Sequence, residues 1–243
     1  MANKLPTSPT NVHADSDLRG AFVVDGKAVS QLWQYAQEFT SAASATVKCA
    51  DDITRTFDTI ESLLTFENAK RISIEKLCIE GRSREKGRDI TITIGRPYSP
   101  TASLVISGEE LDVSIMKTKV SDTIFGLKAW YEWLATIDLI FAWLVVFLFL
   151  LVPSMLMNSR GTAQVFPAGN TLFAAVISLG IVLAIGLAIW VVWLLRGRFF
   201  PVVTFAIGQG IRRYHFDEQI RWVVVVGFLV SVAASLFTML FAG

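Results

Sequence analysis

Along residues 21–136 the spacing of hydrophobic positions changes several times, and each change predicts an element. Residues 27–40 place Val29, Leu32, Trp33, Ala36 and Phe39 at intervals of three and four, which gathers one buried stripe on a helix. Residues 45–50 and 54–57 predict a strand pair joined through Asp51, Asp52 and Ile53. Asp58, followed three residues later by Glu61, has capping-box spacing and predicts a short helix through Ile60, Leu63 and Leu64 that stops at Asn68. A strand over 72–80 comes next. It is followed by alternation at Ile90, Ile92 and Ile94, at Ala102, Leu104 and Ile106, and at Leu111, Val113 and Ile115. Period-two alternation marks strands with one buried face, so turns at 81–87, 97–100 and 108–110 complete an antiparallel meander. The expected class is an α+β domain over 21–136, preceded by a mobile polar tail over 1–20 that lacks an apolar signal core.

The pattern then changes character. Residues 139–157, 172–195 and 222–242 contain no Asp, Glu, Lys or Arg. A helix needs about 20 apolar residues to cross a bilayer, so these runs predict an all-α membrane domain of three transmembrane helices over 137–243. Helical character over 121–151 is interrupted only by Gly126, so the soluble domain's last helix is expected to continue into the first span. The segment 158–171 carries only Arg160, whereas 196–221 carries Arg196, Arg198, Arg212, Arg213 and Arg221. The positive-inside rule puts 196–221 and the N-terminal domain in the cytoplasm and the C-terminus outside. Trp130, Trp133, Trp190, Trp193 and Trp222 all fall at the ends this topology makes cytoplasmic, where an interfacial aromatic belt is expected.

Composition narrows the chemistry. Before residue 137 there are 16 basic against 18 acidic residues, a balance of −2, which gives no general footprint for nucleic acid. Cys49 and Cys78, with the distant His13 and His215, make no zinc pattern, and neither a disulfide, a metal nor a cofactor is expected. Gly208-Gln209-Gly210 before Arg212 and Arg213 lacks the third glycine of a dinucleotide fingerprint. His215 and Asp217 are the acid-base candidates nearest the interface, but no catalytic constellation accompanies them and no enzyme is expected. Arg82, Arg84, Lys86 and Arg88 fall in a hairpin tip, where a solvated turn explains them.

The remaining signals concern the membrane. Gly180, Ala184 and Ala188, and then Gly227, Ser231, Ser235 and Thr238, put small residues on one helical face, which either packs spans together or lines a self-association axis or pore. The five arginines of 196–221 are suited to anionic lipid headgroups. Residues 199–207 are apolar but too short to span, so they lie in the interface, re-enter partway or pack on the soluble domain.

In layout, a cytoplasmic domain followed by a few spans resembles the membrane-perturbing effectors of bacterial anti-phage systems, including retron-associated ones. The resemblance implies an oligomeric, non-enzymatic effector whose domain senses a signal and whose spans permeabilise the membrane. The alternative is a membrane-anchored module that recruits a cytoplasmic protein without forming a pore. Expected partners are membrane lipid, further copies of the chain, and a cytoplasmic protein or nucleic-acid-containing partner.

Overall fold

The computed structural model describes residues 11–83, 87–95, 101–136, 186–187, 190–191, 193–194 and 196–241. The chain divides into two compact units, one formed by 1–132 together with 202–243 and the other by 133–201. In chain order the elements are β1 (Val12–Leu18), β2 (Phe22–Asp25), α1 (Gly26–Thr40), β3 (Ser44–Cys49), β4 (Thr54–Phe57), α2 (Ile60–Leu64), β5 (Ile74–Ser83), β6 (Arg88–Gly95), β7 (Ala102–Gly108), α3 (Glu110–Gly126), α4 (Glu132–Thr136), β8 (Val203–Ala206) and α5 (Gln209–Phe241).

Six strands form an antiparallel sheet in the order β1-β7-β6-β5-β3-β4, and β2 pairs with β8 in a separate parallel ribbon. Alternation decides which face is buried. Ile90, Ile92, Ile94, Leu104 and Ile106 turn inward against α1 and α3, while Thr91, Thr93 and Val105 between them turn outward. Helix α1 contributes Val29, Leu32, Trp33, Ala36 and Phe39 to this core, the stripe its spacing predicts. The Asp25 carboxylate caps α1 by accepting from the Ala28 amide at 2.7 Å. At the other end of α1 the chain turns through Ser41 at φ 69, and the buried Thr40 hydroxyl reaches the carbonyls of Ala36 and Ala42.

Gly81 on β5 lies against that hydroxyl, and a Cβ there would collide with Thr40 Oγ1 and come within 3.1 Å of Ile90 Cγ2. Gly81→Ala is therefore expected to lower stability by about 1 to 3 kcal/mol, the usual cost of overpacking a close site. A thermal melt of the full chain in detergent reads this directly, and an unchanged midpoint would show that the site gives way.

Several expectations need correction. The all-α membrane domain of three transmembrane helices is overturned: among the described residues one helix is long and apolar enough to cross a membrane. That helix is Gln209–Ser235 of α5, 27 residues with a mean hydropathy of 1.4. The run 139–157 lies outside the described residues, as does most of 172–195. An apolar run shows that a segment can cross a bilayer but not where its helix starts. The third run is the continuation of a helix that begins thirteen residues earlier, at Gln209.

The third alternating run is helical, because Val113, Met116, Val120 and Ile124 bury at intervals of three and four while Leu111 and Ile115 stay exposed. The expected tail contains β1, whose seven residues pair with β7 from Val12↔Gly108 to Leu18↔Ala102. Thr59, not Asp58, caps α2 by accepting from the Ser62 amide. Nor does one helix run through 121–151. Helix α3 ends at Gly126, and the next residues turn back onto β2, with the Val23 amide donating to Leu127 O and the Ala129 amide to Ala21 O. In the cationic cluster, Arg82 pairs with Asp89 and Arg88 with Asp112, whereas Arg84 and Lys86 lie outside the described residues.

Candidate functional site

The region with the most specific long-range chemistry is the junction that fastens the last helix to the α+β domain. Strand β8 brings the chain back beside β2 after a long excursion, in parallel register from Phe22↔Val203 to Asp25↔Ala206. Val203, Phe205 and Ile207 join the main hydrophobic core and Val202 packs against it, so 202–207, the later part of the apolar segment, packs on the domain, one of the three placements its composition allowed.

Asn68 secures the end of that strand. Its backbone is left-handed at φ 47, a conformation Asn tolerates better than most residues, and its side chain is 1% exposed. The carboxamide Nδ2 donates to Phe205 O at 2.9 Å and to Ile207 O at 3.2 Å, while Oδ1 accepts from the Ile74 amide at 2.9 Å. One buried amide thus joins β8 to the start of β5. Glu67 O accepts from the Gln209 amide at 2.7 Å, and Arg213 donates to Asn68 O at 2.6 Å, so the first turns of α5 are tied to the same loop.

The Gly208-Gln209-Gly210 motif finds its explanation here. Gly208 sits at φ 52, where a Cβ would press on the carbonyls of Phe66 and Glu67. A Cβ on Gly210 would collide with Phe205 O and Asn68 Nδ2. These glycines serve close backbone approach, and no ligand geometry is needed to account for them.

Three turns along α5, Arg221 is 1% exposed. Its guanidinium carbon lies 4.5 Å from the Tyr131 ring centroid and 5.6 Å from that of Tyr214. Cation–π contacts of this kind gain about 2 kcal/mol when water is excluded. Burial pushes the Tyr131 phenol above its ordinary pKa, with the Arg221 charge pulling the other way, so the ring beside the guanidinium stays neutral at physiological pH. The next residue, Trp222, stacks on Trp130 with centroids 5.2 Å apart. Beyond this pair the helix exposes Val223, Val224, Val226, Leu229 and Val230. The clamp therefore ends where the apolar surface begins.

The residues singled out from sequence distribute unevenly. Gly227, Ser231, Ser235 and Thr238 lie exposed on α5; the Ser231 hydroxyl donates to Gly227 O at 2.8 Å and that of Ser235 to Ser231 O at 2.9 Å. Gly180, Ala184 and Ala188 lie outside the described residues. Of the five arginines, Arg212 is exposed, Arg213 and Arg221 are engaged by the domain, Arg196 donates to Ala135 O, and Arg198 lies over the Phe199 ring. Tyr131 and Tyr214 were missed, because an isolated tyrosine carries no periodic signal. Asn68 was read only as a helix stop. Among the described residues no group of three His, Cys, Asp or Glu side chains could hold a metal. Comparison with protein-family models, with curated proteins and with solved structures finds no match to this chain.

Proposed function

We propose that the chain is a non-enzymatic membrane-anchored module, with its α+β domain on the cytoplasmic side and the apolar part of α5 as its anchor. A cytoplasmic partner bound by the domain would be held at the membrane through the clamp around β8. The observation that supports this most directly is the continuity of α5. Its first turns belong to the domain, through Asn68, Arg213 and Arg221, and its remaining turns are apolar and exposed. A helix held so firmly carries a tilt of the domain into the anchor better than a flexible linker would. The exposed stripe of Ser231, Ser235 and Thr238 favours the second reading, an oligomeric effector that permeabilises the membrane.

The anchor reading is tested by fusing alkaline phosphatase or a green fluorescent protein to the C-terminus of the full chain in bacteria. Active phosphatase and a dark fluorescent fusion are expected, because α5 would carry the reporter across. Arg at both Val226 and Leu229 should cut phosphatase activity at least ten-fold, since each arginine costs about 2.5 to 3.5 kcal/mol near a helix centre in the bilayer. A bright fluorescent fusion of full length would overturn the anchor. In the same cells a potential-sensitive dye separates the two readings. Depolarisation that disappears with Ser231→Leu and Ser235→Leu supports the effector, and an unchanged potential supports the anchored module.

A further inference from the structure

Where α5 leaves the domain, one corner exposes three large aromatic side chains. Among the described residues, Phe125 at the end of α3 is 48% exposed, Trp130 is 40% exposed and Trp222 on α5 is 52% exposed. We infer that this corner is a membrane-docking surface, through which the domain leans on the bilayer by Phe125, Lys128 and Trp130 beside α5. The inference rests on the reading of α5 as an anchor and adds which face of the domain meets lipid.

Backbone bonds and ring contacts fix these side chains in place. After α3 the chain tightens, the Leu127 amide donating to Ile124 O and the Lys128 amide to Phe125 O, and the Ala129 amide then ties it to Ala21 O. Lys128 Nζ lies 5.4 Å from the Phe125 ring centroid and 2.8 Å from a Glu132 carboxylate oxygen. Trp130 meets the buried Tyr131 edge-on, with centroids 5.7 Å apart, and is flanked by Trp222 in the stack described above. Exposed aromatic rings beside a lysine match the interfacial layer of a bilayer, where rings lie at headgroup level and an ammonium reaches water. The patch is also continuous with the apolar surface of α5, because Trp222 directly precedes the exposed Val223, Val224 and Val226.

Distance along α5 decides which cations share that layer. At about 1.5 Å per residue, Trp222 lies roughly 13 to 15 Å along the axis from Arg213 and Arg212, whereas the headgroup layer on one side of a bilayer is about 5 to 8 Å thick. Arg221 is at the right level but is buried beside Tyr131. Lys128 therefore stands at the layer in place of the α5 arginines. Because Glu132 already meets its charge, the rings make most of the contact, which is expected in zwitterionic as well as anionic lipid.

A nitroxide label tests the docking on the full chain in phosphatidylcholine vesicles, in a Cys78→Ser background where the remaining Cys49 is buried. The label is placed separately at Phe125→Cys, Lys128→Cys and Ile53→Cys. Ile53 is the water-facing reference: it is 53% exposed in the β3–β4 turn, which is tied to Ser73 near the start of α5 and away from its exit. A water-soluble nickel complex should relax the labels at 125 and 128 at least about five-fold less than the label at 53, while oxygen, which concentrates in lipid, relaxes them more. Phe125→Asp should raise nickel access at 128 by about two-fold or more, since a carboxylate resists entry into the layer. Labels at two positions keep the test open if one replacement unsettles the turn, and melting in detergent within a few degrees of wild type confirms the fold. Nickel access at 125 and 128 equal to that at 53 overturns the inference. So does protection from nickel and oxygen alike, which would mean burial by protein, or a label at 128 indifferent to Phe125→Asp. Flotation separates this from the anchor: a chain that does not float with the vesicles removes the anchor and the docking with it, whereas a floating chain with a water-exposed corner removes the docking alone.

Discussion

Asn68→Ala is expected to lower the unfolding free energy of the full chain in detergent by about 3 to 5 kcal/mol, with the loss concentrated at the β2–β8 ribbon and the start of β5. The side chain is buried and serves three backbone groups: the Phe205 and Ile207 carbonyls accept from it, and the Ile74 amide donates to it. Each buried group left without its partner costs about 1 to 3 kcal/mol. Alanine at φ 47 adds about 1 kcal/mol, because a Cβ crowds the following carbonyl in the left-handed region. Asn68→Gly separates the two contributions, since it keeps the backbone conformation free of strain and removes only the amide. Asn68→Asp keeps the acceptor for Ile74 but turns a carboxylate towards two carbonyls, and should be at least as damaging as alanine. Hydrogen exchange at Ile74 and along β2 and β8 locates the loss, and denaturant titration measures it. A cost below about 1 kcal/mol for alanine, with exchange at Ile74 unchanged, would mean that the amide does not hold the clamp.

What the sequence could and could not reveal follows from the range of the interactions involved. The stripe of α1 and the alternations of β6 and β7 were legible, because a buried face imposes its period on consecutive residues. Residues 111–115 show both periods at once, and their exposed Leu111 and Ile115 made the wrong one look complete; the preference for helix comes from Met116, Val120 and Ile124 further on. Strand β1 was hidden for a different reason. It is a sheet edge with one side wet, and Asp15, Ser16 and Asp17 look like solvated coil until β7 supplies a partner more than eighty residues away. The apolar length of α5 was evident, but its start was not. Helix α5 opens at Gln209 because Gly208 can turn sharply against Phe66 and Glu67, and that contact joins positions about 140 residues apart. The clamp was beyond reach for the same reason: Asn68, Tyr131 and Arg221 each look ordinary until the fold brings the junction together.

Arg221 is expected to tolerate a neutral chain of similar length and to reject a negative one. Its guanidinium lies over the Tyr131 ring and near that of Tyr214, and both ring faces are electron-rich. Arg221→Glu would put a carboxylate against those faces, one helical turn from Asp217 and Glu218, whose charges add repulsion. A buried charge of the wrong sign costs about 3 to 5 kcal/mol, enough to detach the middle of α5 from the domain. Arg221→Met keeps most of the buried volume and carries no desolvation cost, so its expected penalty is at most about 1 to 2 kcal/mol. Arg221→Lys should fall between them, because an ammonium keeps the charge but cannot lie flat across a ring. The neighbouring stack of Trp130 on Trp222 reports the outcome: release of α5 separates the rings now 5.2 Å apart and changes the intrinsic fluorescence of the native state. The order of stability should therefore be arginine, methionine, lysine and glutamate, with the fluorescence change confined to the last. If glutamate were tolerated as well as methionine, the aromatic seat would be packing alone, and the charge of Arg221 would have no part in holding the helix to the domain.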